Sequence, residues 1–253
     1  MSTSTDGFGS SPRRAIAVPE LPPARAISRP KRVLLPNWAL KTVMALTGTF
    51  LVFFLAMHLF GNLKVYAGPD SFDSYALWLR RAFMPLMPAE GVLWAFRAVL
   101  ATCFVLHISA ATILFFRGRR ARGKFRAKLT DHRSRMARLM PVTGVLILSF
   151  LIFHLLDLTL LAQPVASAQA TPGTPYANLV ASLQRPWSAA IYLCTMLLTS
   201  IHVAHGVLTA ANDLGAMGRR LRATVVVIGG LIALAILLGN ASIPIAVLMG
   251  WVA

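Results

Sequence analysis

The chain has 253 residues, 57% hydrophobic and 13% charged, and its 25 Lys and Arg against 8 Asp and Glu give a net charge of +17. A soluble domain would carry about 25% charged residues, so this composition points to an integral membrane protein. No finger motif or aromatic-studded basic fold accompanies the charge, which sets nucleic-acid binding aside and leaves membrane topology as its main use.

Residues 1–36 are rich in Pro, Ser and Arg, lack the apolar core of a signal peptide, and read as a cytoplasmic tail that is mobile or orders on a partner. Residues 37–253 then read as one all-α domain, an integral membrane bundle of five transmembrane helices. Five runs reach the roughly 20 residues needed to cross a bilayer, near Trp38–Gly61, Val92–Phe116, Met140–Ala162, Trp187–Ala211 and Ala223–Gly239. Basic residues crowd before the first run, in "RGRRARGKFRAKLTDHRSRMAR" between the second and third, and at Arg219, Arg220 and Arg222 after the fourth. The positive-inside rule therefore predicts a multi-pass protein with the N-terminus cytoplasmic and the C-terminus outside. His132, within the basic loop, is expected to be solvated.

The two outer connections, around Tyr75, Trp78 and Phe83 and around "QPVASAQATPGTPYANLVASLQRP", suit partly ordered interfacial segments rather than a folded extramembrane domain. Beyond the fifth run, Asn240 to Pro244 is expected to break the helix, with Pro244 kinking it or opening a re-entrant turn and Trp251 anchoring the outer interface. Cys103 and Cys194 lie on different spans, form no CxxC pair, and read as packing residues. No internal repeat of sequence stands out.

Each of the first four spans contains histidine, namely His58, His107, His154, and His202 with His205. Ionisable residues are costly in a bilayer and face the bundle interior, where they have a partner. A zinc or di-iron site would need converging carboxylates or thiolates, whereas Asp157 is the one clearly intramembrane acid. Neutral imidazoles on facing helices instead suit low-spin haem, with one axial ligand on each side of the iron, and four such ligands make two haems. Depth along the spans pairs His58 with His154 in the outer half and His107 with His202 in the inner half. Gly61, Ala110, Gly144 and Gly206 either admit a flat macrocycle or serve ordinary helix packing. His205 lies about 60° round the helix from His202 and about 4.5 Å nearer the cytoplasm, so both cannot ligate one iron. It is expected to bond a haem propionate or a backbone carbonyl.

With these features in view, "HLFGNLKVY", "RGKFR", "FHLLDLT", "YANLVASLQRPW", "HVAHG" and "GNASIPIAVLMGWVA" resemble the five-helix, di-haem cytochrome b anchor of succinate:quinone oxidoreductases. The likeness is strongest to the actinobacterial succinate dehydrogenase type and runs from about Trp38 to Ala253. It implies two haem b groups with His58, His107, His154 and His202 on the iron, in the pairing that depth gives. It implies two soluble partners on the cytoplasmic side, a flavoprotein with FAD and an iron–sulfur subunit, and menaquinone as the exchangeable electron acceptor. Arg117 to Arg138 would then help to dock the iron–sulfur subunit, and the complex could assemble into a higher oligomer within the membrane lipid.

Some relatives use a glutamate near the fourth-helix ligand for proton transfer; Ser200 stands two residues before His202 here, so that pathway is not carried over. Location and chemistry make Asn62, Lys64, Tyr66, Trp78, Arg80, Arg81, Glu90 and Arg97 candidates for the quinone site. The alternatives are a fumarate reductase anchor working in reverse, the di-haem cytochrome of a hydrogenase or formate dehydrogenase, and a non-haem transporter or assembly factor with a histidine proton relay.

Overall fold

The computed structural model describes residues 35–123, 132–216 and 218–253, without the side chains of 132–134. The tail predicted over 1–36 therefore falls almost wholly outside the described residues, as do much of the basic loop and the His132 side chain. The described chain is all helical, with α1 Asn37–Asn62, α2 Pro69–Arg81, α3 Gly91–Arg122, α4 His132–His154, α5 Pro175–Leu183, α6 Pro186–Asp213 and α7 Arg219–Leu248. Five segments are long and apolar enough to span a membrane: Asn37–Ala67, Gly91–Arg122, Arg135–Thr159, Pro186–Asp213 and Arg219–Leu248. They form because uninterrupted apolar sequence in lipid must satisfy its own backbone hydrogen bonds, which a helix does within a single segment.

Apolar side chains also line the outside of the bundle. On α1, Leu46, Phe53 and Phe60 lie seven residues apart along one face and are each more than half exposed, as a lipid-facing stripe requires. Inside, α3 packs on α1, α1 on α6 and α6 on α4, while α7 covers α6 and α1. No comparable packing joins α3 to α4 among the described residues. The four helices therefore ring a centre across which α1 faces α4 and α3 faces α6. Close approach of α7 to α1 depends on Gly239, where an added Cβ would lie 2.6 Å from Leu59.

The two ends of the bundle differ. At the basic end, the Arg117 guanidinium donates to the Leu35 carbonyl at 2.7 Å and to Asn37 at 2.8 Å, and Lys41 pairs with Asp213 at 2.9 Å. At the opposite, capped end, the connections fold back over the helices. A short 3₁₀ turn, Leu63–Ala67, leads through Gly68, at φ +87°, into α2, a left-handed conformation that costs glycine little. Asp73 of α2 accepts from the Tyr176 backbone N–H of α5 at 2.9 Å. Val65, Tyr176, Val180, Leu183 and Tyr192 pack there with Ile243 and Val247.

Two expectations change. The outer connections contain helices, α2 and α5: α5 buries Tyr176, Val180 and Leu183, and α2 adds the partly buried Phe72 at the edge of the same core. The fifth span does not break at Asn240–Pro244: α7 continues through Pro244 to Leu248. Pro244 is buried, and Asn240 stays tied to the helix through a 3.1 Å bond to the Ile236 carbonyl. Burial of the Pro244 ring against its surroundings offsets part of the cost of the N–H that proline lacks. Trp251 lies beyond the helix and is 75% exposed.

Candidate functional site

The histidines occupy two levels of the bundle. At the capped end, His58 of α1 and His154 of α4 face each other across the ring, with ring centroids 5.9 Å apart and planes at 83°. Each imidazole stacks on a phenylalanine one turn earlier in its own helix, His58 on Phe54 at 5.5 Å and His154 on Phe150 at 5.7 Å. Nearer the basic end, His107 of α3 and His202 of α6 lie at the level of Thr47 and Thr143, to which their rings are bonded.

Hydrogen bonds fix how three of these rings are oriented. His107 Nδ1 lies 3.2 Å from the Met44 carbonyl and 3.3 Å from Thr47 Oγ1. A carbonyl only accepts, so Nδ1 carries the proton. His202 Nδ1 lies 2.9 Å from Thr143 Oγ1, whose hydroxyl proton can go to the Leu139 carbonyl at 3.0 Å. His154 Nδ1 lies 3.2 Å from Tyr192 Oη, which itself sits 3.2 Å from the Asp157 carboxylate. These contacts all involve Nδ1, and with the proton on that nitrogen, as the carbonyl requires in His107, the Nε2 lone pair is available to bind a metal.

Two helices share the pattern that builds these contacts. Thr47, Gly48, Phe54 and His58 on α1 correspond to Thr143, Gly144, Phe150 and His154 on α4, a Thr-Gly-x5-Phe-x3-His motif in both. Eleven residues make about three helical turns, so the threonine and histidine lie on one face about 16 Å apart. Each helix thus contributes a histidine to the capped-end pair and a threonine to one ring of the other pair. The glycines lie against those same rings: an added Cβ at Gly48 would be 3.1 Å from His107 Cε1, and one at Gly144 would be 3.6 Å from His202 Cε1. Aligning the first and third spans on their histidines would have revealed this repeat.

The four small residues expected near the histidines divide. Gly144 abuts His202, while Gly61 makes room for Tyr75 of α2 and Gly206 lies beside Met140. Ala110 is buried in α3. His205 lies about one turn beyond His202 on α6, and its carbonyl accepts from Thr209 at 2.9 Å. Ser200 donates to the Ala233 carbonyl of α7 at 2.9 Å. Among the described residues no three His, Cys, Asp or Glu side chains converge to hold a bare metal ion.

The quinone candidates fall into two groups. At the junction of α1 with α7, Asn62 bonds Asn240 at 3.0 Å and Tyr66 bonds Ser242 at 2.7 Å. Lys64 lies over Tyr75 at 5.1 Å, and Tyr75 stacks on Trp78 at 5.9 Å. Separately, Arg80 pairs with Glu90 at 3.1 Å, with Arg97 on the other Glu90 oxygen at 3.9 Å. Arg81 is exposed at the end of α2. Tyr75, Asn240 and Ser242 were not among the candidates; Tyr75 comes from the adjacent α2, and Asn240 and Ser242 from α7, distant in sequence from α1.

Taken together, the fold and site define a multi-pass helical membrane protein with paired histidines across its interior. Residues 118–239 match the family model of the succinate dehydrogenase/fumarate reductase transmembrane subunit, and the match supports a place in that family. It covers the span of His154 and the span of His202 and ends within α7. No curated protein and no solved structure matches the chain.

Proposed function

We propose that this chain is the membrane-anchor and electron-transfer subunit of a succinate dehydrogenase, with His58 and His154 holding one b haem and His107 and His202 a second. The observation that carries this reading is the two-level arrangement of histidines on facing helices, in a chain whose second half matches the anchor family. The residues suit the group. Metal–imidazole bonds are about 2 Å, so two imidazoles on opposite sides of one iron have centroids about 6 Å apart, and His58 and His154 stand at 5.9 Å. The Nδ1 contacts of His107, His154 and His202 leave Nε2 free in each.

When bound, the haems supply one-electron relay between a soluble partner and a quinone. The chain's own residues hold the two levels about 16 Å apart along the bundle axis, fix the imidazoles, and keep water from the apolar interior. The basic end, cytoplasmic by the positive-inside rule, would offer an iron–sulfur subunit, which travels with an FAD flavoprotein, the arginines Arg117, Arg119, Arg120, Arg122, Arg135 and Arg138. At the capped end, Asn62, Lys64, Tyr66 and Trp78 offer menaquinone polar groups and an aromatic face beside the His58–His154 level. The resemblance favours succinate oxidation over the reverse direction.

Haem content and a reduced-minus-oxidised spectrum of the purified complex test the reading. Two b haems per chain are expected, and His202→Ala should remove the one nearer the basic end while the His58–His154 haem survives. Absence of b-type bands would overturn the proposal, and loss of the capped-end haem in His202→Ala would overturn the pairing.

A further inference from the structure

Asp157 is 1% exposed, lies inside a membrane span and carries a charge, yet the electron path described above does not use it. It sits in a π turn, Leu155–Thr159, that directly follows His154; such turns break the regular helical register and cluster at functional sites. Its carboxylate is held from several sides. Arg185, from the loop before α6, donates to Oδ1 at 2.6 Å, and Ser182 and Tyr192 donate to Oδ2. Arg185 is itself anchored by donating to the Val165 carbonyl at 2.7 Å and to the Ser182 carbonyl at 3.2 Å.

This network sets the direction of one hydrogen bond. An ionised carboxylate only accepts, and a phenol has a single proton. Tyr192 spends its proton on Asp157, so its oxygen must accept from His154 Nδ1–H. We infer that Tyr192 and Asp157 form a positioning relay that fixes the His154 tautomer and draws on its Nδ1 proton, making Nε2 a stronger donor to the capped-end haem iron. The inference rests on the bis-histidine reading of that level. A carboxylate acting on a ligating imidazole raises ligand basicity, and a more basic ligand favours the ferric iron. The electron that reduces this iron starts at the iron–sulfur partner already proposed and arrives by way of the basic-end haem, with no bond made or broken. The relay therefore lowers this haem's potential. His107 and His202 have hydroxyls and a carbonyl as Nδ1 partners and, among the described residues, no carboxylate in the corresponding place.

Tyr192→Phe removes the hydroxyl and keeps a ring against Phe150 and Phe153. Potentiometric titration of the whole complex, followed by visible and ferric EPR spectra, should show both haems retained. The haem whose signal His154→Ala abolishes should titrate about tenfold more toward the reduced form, about 59 mV higher for one electron. The other haem should not move. Asp157→Asn should shift the same haem in the same direction, while Ser188→Ala, which touches Ser182 but not the line to His154, should shift neither. Unmoved potentials in Tyr192→Phe and Asp157→Asn, with two haems present, would overturn the relay and leave the haem reading standing. An equal shift in Ser188→Ala would also overturn it, by showing a general packing effect. A wild-type complex without two haems would instead remove the reading beneath it.

Discussion

The two levels of the bundle use the same side chain in different settings. At the basic-end level, His107 and His202 are tied by threonine hydroxyls and a backbone carbonyl belonging to neighbouring helices. At the capped end, His154 is tied through Tyr192 to a carboxylate, and that carboxylate to an arginine that fastens the 160–185 connection. The first arrangement needs only helix packing, whereas the second couples a candidate ligand to a loop. What the difference teaches is that, on the proposed reading, the histidines would set the number of redox centres and their Nδ1 partners would make the two centres unequal.

The largest expected effect comes from removing a ligand. His202→Ala should cut succinate-to-quinone electron transfer to background, while the soluble subunits still oxidise succinate with an artificial acceptor. Loss of both activities would show that the variant disrupts assembly rather than the relay. Next, Arg185→Ala leaves the Asp157 charge buried without its cation, which costs about 3 kcal/mol when a buried pair is broken. Arg185 is 20% exposed, placing the effect at the low end of that range. Thermal unfolding of the complex in detergent should fall, with the capped-end haem released first; simultaneous release of both haems would erase the contrast between levels.

The glycines give a finer test. Gly48→Ala places a methyl 3.1 Å from His107 Cε1, tight enough to displace the ring, while Gly144→Ala makes an ordinary 3.6 Å contact with His202. The first should broaden the ferric EPR signal of the basic-end haem, and the second should leave it unchanged. Reversed results would mean that the two sockets are not built as the geometry indicates. Lys64→Met, at the capped end, should raise the KM for menaquinone several-fold with haem spectra intact. An unchanged KM would move the quinone away from this corner. The smallest effect belongs to Lys41→Met, which removes an exposed ion pair with Asp213 worth about 1 kcal/mol or less and should leave both potentials alone.

Much of this molecule is legible in sequence because the membrane enforces it. Spans of about 20 apolar residues must be helical, and histidine is expensive enough in lipid to mark the interior. What stayed hidden depends on register between distant segments. Thr143 meets His202 and Tyr192 meets His154 across separations of 59 and 38 residues, and neither hydroxyl stands out within an apolar helix. Asp157 was visible as an isolated acid, but Arg185 belongs to a loop whose return path composition does not specify. Pro244 misled because its local effect is to break a helix, whereas the packed capped end holds α7 together around it. The Thr-Gly-x5-Phe-x3-His repeat went unseen because its fixed positions are separated by interchangeable apolar residues.

The central claim is that four histidines hold two haems at two levels. A pyridine haemochrome assay on the purified complex, calibrated against the amount of this chain, tests it directly. The account predicts two b haems per chain in the wild type and one in either His154→Ala or His202→Ala. One haem or none in the wild type would contradict it.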